Sequence, residues 1–210
     1  MPQDRIPLFP LGVVLFPGAE LPLHIFEDRY KEMIAEAIAQ EGEFGVVMAS
    51  EKGLSKIGCS AVVERVLETY PDGRSDILAR GRRRFEILFV HQDRSFLEAT
   101  IEPYDDEDLD IPEDLIRQRA LSAWTNLMVL EHGGIPRDLP DARHPGLSFQ
   151  LADAIGDLSV RQRVLMMRSE RERLELLSNF LPQYAERERA QKSMKRLAPL
   201  NGYGKHFYKA

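Results

Sequence analysis

The sequence predicts an α+β fold in which a strand-rich half, residues 1–104, precedes a helical half, residues 105–210. Three observations carry this. Short β-branched and aromatic runs dominate up to about residue 103. Apolar residues at helical spacing take over from about residue 110. Between the two lies EPYDDEDLDIPED (102–114), with eight acidic residues and no basic one. Like charges repel and resist burial, so this run is expected to be a solvated linker.

The expected strands are VVLF (13–16), FGVVMA (44–49), SAVVERVLETY (60–70), DILAR (76–80), FEILFV (85–90) and FLEATI (96–101). Pro71-Asp72-Gly73 between two of them is a hairpin signal. One helix interrupts the strands, from Glu27 to Ala39. There Tyr30, Met33, Ile34, Ala37 and Ile38 recur at helical spacing, and Gly42 lies beyond as a stop.

In the second half, Asp110 with Glu113 forms a capping-box pattern, and Pro112 sits in the first turn where its missing N–H does no harm. The helix this starts is expected to reach His132 and to bury Ile116, Ala120, Ala123, Leu127 and Leu130, with Trp124 beside them. Gly133-Gly134 ends it. LSFQLADAIG (147–156) reads as a short helix stopped by Gly156. Ser159 with Gln162, and Ser169 with Glu172, repeat the capping pattern. Pro182 is expected to kink or break the last helix, whose first part carries Leu174, Leu177 and Leu181. From Arg189 to Ala210 there are six Lys or Arg and no acid, which reads as a basic tail.

Composition narrows the class. The 43% hydrophobic and 30% charged content of these 210 residues is ordinary for a soluble globular protein. A net charge of −6 and a pI near 5.5 argue against a nucleic-acid partner, which would call for a basic surplus. The single cysteine excludes an internal disulfide and a cysteine-based zinc site, and fits a reducing, cytoplasmic setting. MPQDRIPLFPLGVVLF looks like a signal peptide at first glance, but Pro7 and Pro10 punctuate its apolar run and Pro17 follows it. No apolar run approaches the roughly eighteen residues of a membrane span, so no membrane partner is expected.

Motifs for chemistry are missing. The sequence has no GxxxxGK[ST], no glycine-rich dinucleotide fingerprint and no GxSxG elbow. His24, His91, His132, His144 and His206 show no metal-ligand spacing. Cys59 lies in a strand-like run without an adjacent base and reads as a buried, inert thiol. No cofactor and no catalytic residue is expected. Arg80, Arg82, Arg83 and Arg84, in RGRRR, could contact an anion through forked hydrogen bonds. The favoured reading is a structural one, with the arginines solvated at a turn between DILA and FEILFV.

Taken in order, IPLFPLGVVLFPGAELPLHIFEDRYKEMI, GCSAVVERV and PDGRSDILARGRRRFEI resemble the N-terminal domain of the Lon ATP-dependent protease family. SFQLADAIGDLSVRQRVLMMRSERERLELLSNFL is similar to the helical portion of that domain, so the resemblance runs from about residue 5 to 185. Its most specific pieces are PLFPL, the FPG…LPL…F element and the pattern of Gly81, Arg84, Phe85 and Ile87. The resemblance implies a PUA-like β-barrel followed by a helical bundle, and a role in recognising polypeptides. No nucleotide-binding or serine–lysine peptidase module lies in this chain, so it looks like a stand-alone domain of that kind.

On this reading Pro10, Pro17 and Gly18 shape strand ends and a turn, and Phe16, Leu21, Leu23 and Phe26 fill the barrel core. Any of these apolar residues left uncovered would make a peptide-binding patch, and the candidates are Phe16, Leu21, Leu23, Phe26 and Tyr30. A non-catalytic polypeptide-binding module is the favoured function. The alternatives are an adaptor for a specific folded partner and a small-anion binder using Arg80 to Arg84.

Overall fold

The first strand, β1 (Arg5–Leu11), contains Pro7 and Pro10, neither of which can donate a ladder hydrogen bond. In the computed structural model, which describes residues 5–108, 111–137 and 139–197, β1 changes partner between these prolines. Arg5 to Pro7 pair antiparallel with β7 (Glu98–Pro103), and Leu8 to Leu11 pair parallel with β3 (Phe44–Ser50). Apart from Leu8, whose N–H still donates to Leu97 O at 2.8 Å, each paired stretch has one strand neighbour, and a missing donor is tolerated. The prolines hid this strand from the sequence reading, which placed a strand at 13–16 instead. Val14, Leu15 and Phe16 are buried but irregular.

From β3 the pairing continues antiparallel to β5 (Ile57–Thr69), to β6 (Ser75–His91) and to β7. Five strands in the order β1-β7-β6-β5-β3 thus close into a ring through the parallel β1–β3 pairing, which is the defining property of a barrel. β2 (Glu20–Ile25) pairs with the first part of β6 from outside the ring, and β4 (Gly53–Leu54) extends β3. The hairpin at Pro71-Asp72-Gly73 forms as expected, with Gly73 at φ 82° and the Tyr70 N–H donating to Arg74 O at 2.8 Å.

RGRRR is no turn: β6 runs through it for 17 residues. Gly81 makes this possible. A Cβ at Gly81 would stand 2.1 Å from the Phe16 carbonyl oxygen, so the 16–19 segment crosses directly over the strand. The Gly18 N–H donates to Gly81 O, and the Gly81 N–H donates to Ala19 O, both at 2.9 Å. At this crossing β6 exchanges β2 for β7 as its neighbour.

Side chains of β1 alternate between two apolar clusters, as strand geometry requires. Ile6 and Leu8 join Val47, Phe85, Ala99 and Ile101. Phe9 joins Phe44, Val46, Ile77 and Ala79 under α1 (Asp28–Ala39), which contributes Tyr30, Met33, Ile34 and Ala37. Ile38 was expected on the same buried stripe but is 44% exposed.

The chain divides into two compact units. One comprises Met1–Asp110 with Ser148–Glu170; the other comprises Ile111–Leu147 with Arg171–Ala210. The expected division at 104/105 assigned residues 148–170 to the helices, whereas their contacts place them with the sheet. They hold most of α3 (Leu147–Asp153) and all of α4 (Leu158–Met166). Phe149 stacks on Phe16 at 5.5 Å, Arg161 donates to Val14 O at 2.8 Å, and Gln162 donates to Ser55 Oγ and Ile57 O. The cap of α4 is Asp157, which accepts from the Ser159 and Val160 N–H groups, rather than Ser159 itself.

In the second unit, α2 (Asp114–His132) starts after Glu113 and ends at Gly133, at φ 78°. The expected cap Asp110 lies outside the described residues. Ala120, Ala123, Trp124 and Leu127 are buried as expected, and Ile116 and Leu130 are half-buried. α5 (Glu170–Leu197) buries Leu174, Leu177 and Leu181. It continues through Pro182, which costs the donor to the preceding turn without ending the helix. Most of the basic tail lies outside the described residues.

Candidate functional site

The arginine cluster is distributed over the fold. Arg84 is buried and donates to Leu165 O at 2.9 Å, to Met167 O at 2.6 Å and to the Asp106 carboxylate. Its guanidinium also lies 5.3 Å from the ring centres of both Phe149 and Tyr104. Arg80 donates to Gly18 O at 3.0 Å and pairs with Glu20 at 2.7 Å and Glu64 at 3.0 Å. Arg83 is exposed, 3.5 Å from Glu43, and Arg82 is exposed. The acidic run 102–114 likewise serves the fold: Asp106 holds Arg84, and Glu107 pairs with Arg168 at 2.6 Å. It is not the free linker that its charge suggested.

The apolar candidates also separate. Phe16 has no exposed surface and Tyr30 is 7% exposed, so both belong to the core. Leu21 and Leu23 are half-buried against the cluster under α1. Phe26 alone presents its ring, at 58% exposure. It stacks on His24 at 5.9 Å, and His24 Nδ1 lies 2.6 Å from Asp76 Oδ1. The Tyr70 hydroxyl donates to the other Asp76 oxygen at 2.7 Å. The His24 ring and the Tyr70 hydroxyl hold the Asp76 carboxyl below its ordinary range, and the bond to Asp76 pushes the Tyr70 hydroxyl up to about 12.

At the other end of α1 lies a groove of about 380 Å³, lined by Ala37, Ile38, Glu41 and Gly42 on one side and by Val62 to Val66 of β5 on the other. Its rim carries exposed apolar surface, with Ile38 at 44% and Val66 at 47%. Leu67, next along β5, is 55% exposed. The wall exists because β3 leaves β5 after Ala61, so that from Val62 to Thr69 only β6 pairs with it. Among the described residues no backbone hydrogen bond reaches the outer edge of that stretch. Register shifts between Val63 and Arg65, and between Val66 and Glu68, break its regularity. Bulges of this kind twist an edge away from continuous strand addition. The open edge of β2 is blunted in another way, by Pro22. Such a groove suits side chains of an extended segment better than a long added strand.

Sequence reasoning missed the groove because its residues come from two separate segments. The one legible hint was Glu41-Gly42. α1 closes with the Glu41 N–H donating to Ile38 O at 3.3 Å and the Gly42 N–H to Ala37 O at 2.9 Å, which puts Glu41 in the left-handed position at φ 49°. Glycine normally fills that place.

Among the described residues no three of His, Cys, Asp and Glu come together to hold a metal. Burial pushes the Cys59 thiol up to about 12, the opposite of what a nucleophile needs. No helix among the described residues is long and apolar enough to cross a membrane.

Known proteins place this architecture. The chain is similar to the Lon N-terminal domain protein of Xanthomonas campestris, with TM-score 0.68 and 23% identity over 85% of this chain and 99% of that one. It is also similar to the N-terminal domain of Mycobacterium avium complex Lon protease, with TM-score 0.63 and 16% identity over 87% of this chain and 98% of that one. In sequence it is 32% identical to Lon protease of Parabacteroides distasonis over 148 residues, 65% of this chain and 18% of that protein. Against Lon protease of Roseiflexus castenholzii it is 29% identical over 201 residues, 89% of this chain and 24% of that protein. The chain thus spans no more than about a quarter of these two proteases. Residues 5–183 match the family described as the ATP-dependent protease La (LON) substrate-binding domain, and to that family the chain belongs.

Proposed function

We propose that this chain is a non-catalytic module that binds extended polypeptide segments. The observation that carries the reading is the groove between the end of α1 and β5, where Ile38 and Val66 stay exposed beside an unpaired strand edge. An apolar trough beside a helix and an open strand fits an unfolded segment, because alternate side chains can enter while the backbone stays solvated. The family's name, with its reference to substrate binding, supports the same reading. The net charge of −6 speaks against nucleic acid, and the single buried cysteine is consistent with a cytoplasmic setting. The anion reading has less support, since Arg80 and Arg84 direct their charge at carboxylates and carbonyls of the fold itself.

The test is fluorescence anisotropy with a set of labelled hydrophobic or unfolded peptides. Saturable binding in the micromolar range is expected. Flat titrations up to several hundred micromolar protein would rule the function out.

A further inference from the structure

The groove carries charge as well as apolar surface, and its charges are arranged unequally. Three ionisable side chains line it: Glu41, Glu64 and Arg65. Glu64 lies 3.0 Å from Arg80, which takes up its charge. No ion pair engages Glu41 or Arg65 among the described residues. They belong to opposite walls, with Glu41 on the loop after α1 and Arg65 on β5.

Glu41 is also the one non-glycine residue with positive φ among the described residues. A side chain in that conformation is strained relative to glycine, which would fit both the geometry and the neighbouring helix end. A carboxylate is kept there against the backbone's preference, at the mouth of an apolar trough. Strain held at such a place is accounted for when the side chain has work to do.

We infer that the groove selects extended segments in which an apolar side chain is flanked by a lysine or arginine. The apolar side chain lies over Ile38 and Val66, and the cation pairs with Glu41. Arg65 repels a second cation on the β5 side, which fixes the direction of the segment. This rests on the polypeptide-binding reading above and adds to it a charge preference and a position. The preference is modest, because an ion pair at a solvent-exposed rim contributes up to about 1 kcal/mol, or about five-fold in affinity.

The experiment compares two fluorescein-labelled peptides with the same Leu-Ile-Val core, one carrying a single flanking lysine and one a glutamine in its place. They are titrated with the full chain and with Glu41→Gly, Val66→Asp and Arg65→Ala, each variant first checked by thermal melt. The parent should bind the lysine peptide about three- to five-fold more tightly. Glu41→Gly should abolish that preference while its Tm stays equal to or above the parent's, since glycine relieves the left-handed position. Val66→Asp should weaken both peptides, and Arg65→Ala should improve binding of the lysine peptide. Equal affinity of the parent for both peptides, or an undiminished preference in Glu41→Gly, overturns the inference and leaves polypeptide binding standing. Unchanged binding of both peptides by folded Val66→Asp overturns the groove as the site. No binding of either peptide by the parent overturns the function and the inference together.

Discussion

Arg84 on β6 donates to the main-chain oxygen of Met167, 83 residues later in the chain, at 2.6 Å. With Leu165 O and Asp106 as further acceptors, one guanidinium joins the sheet, the acidic run and the end of α4. A planar fork with several donors suits three acceptors at once, and an ammonium does not. One of the four arginines named as candidate anion contacts is thus a structural tie.

Replacing Arg84 with alanine should therefore cost about 3 kcal/mol, because a buried network loses its shared donor. Lysine should recover only part, having one point of charge where the site uses a fork. Urea unfolding followed by circular dichroism measures both. A loss below about 1 kcal/mol in Arg84→Ala would mean that the tie contributes no more than an exposed ion pair.

Gly81 offers a sharper case. With the Phe16 oxygen 2.1 Å from the place of a Cβ, alanine requires the 16–19 segment or the strand itself to move. Overpacking against backbone costs about 1–3 kcal/mol or more. For a chain of this size that is a drop in Tm of at least about 2 °C. Alanine at Gly12, where nothing lies within 4 Å, should leave Tm nearly unchanged and serves as the control.

Gly81 and Arg84 also mark the limit of what could be read from the sequence. The hairpin at Pro71-Asp72-Gly73 was legible because a turn is set by adjacent residues. So was α1, whose period shows in Tyr30, Met33, Ile34 and Ala37. β1 was not, because Pro7 and Pro10 are acceptable only in a strand that changes partner between them, and partners are non-local. RGRRR read as a turn because what crosses Gly81 lies 65 residues upstream (81 − 16). Burial of Arg84 and exposure of Ile38 escaped for the same reason. Periodicity shows which face can be covered, and packing decides how far the cover extends.

Cys59 gives a pH-dependent test. Burial is the main cause that raises its thiol from 9.0 to about 12 in the folded chain. Between those values the unfolded chain loses the proton while the folded chain keeps it. The associated stability is whole below pH 9 and is lost as pH rises toward 12, at about 1.4 kcal/mol per pH unit. Cys59→Ala should be less stable at pH 8, from a small cavity, yet should lose less stability than the parent between pH 9 and 10.5. Urea midpoints at these pH values decide it. Thiol-specific reagents at pH 8 should label the parent only once it is unfolded.

On the acid side the carboxyl of Asp76 is held below its ordinary 3.8, first by His24 and then by Tyr70. A lowered folded value means stability that is present above pH 4 and lost as pH falls through the folded value. Asp76→Asn should flatten the acid limb of the stability profile below pH 4 and leave the interval from pH 5 to 7 with the parent's slope. An acid limb identical to the parent's would show that the exposed His24–Asp76–Tyr70 contacts make no measurable contribution.

Phe16 and Phe26, ten residues apart, make the last comparison. Phe16 is fully buried, so alanine there should cost about 3–5 kcal/mol. Phe26 is 58% exposed, so alanine there should stay within about 0.5 kcal/mol of the parent. Binding separates them differently. Phe26 precedes α1, and the groove follows it, so the 12 helical residues put roughly 18 Å between them. An extended chain covers that distance with about six residues at some 3.3 Å each. If Phe26 is a second contact for a segment anchored at Ile38, Phe26→Ala should weaken a peptide of about twelve residues roughly three-fold. A peptide of about four residues cannot reach both places and should bind Phe26→Ala as well as it binds the parent. Equal weakening of the two lengths would separate Phe26 from the groove and place its ring outside the path of the segment.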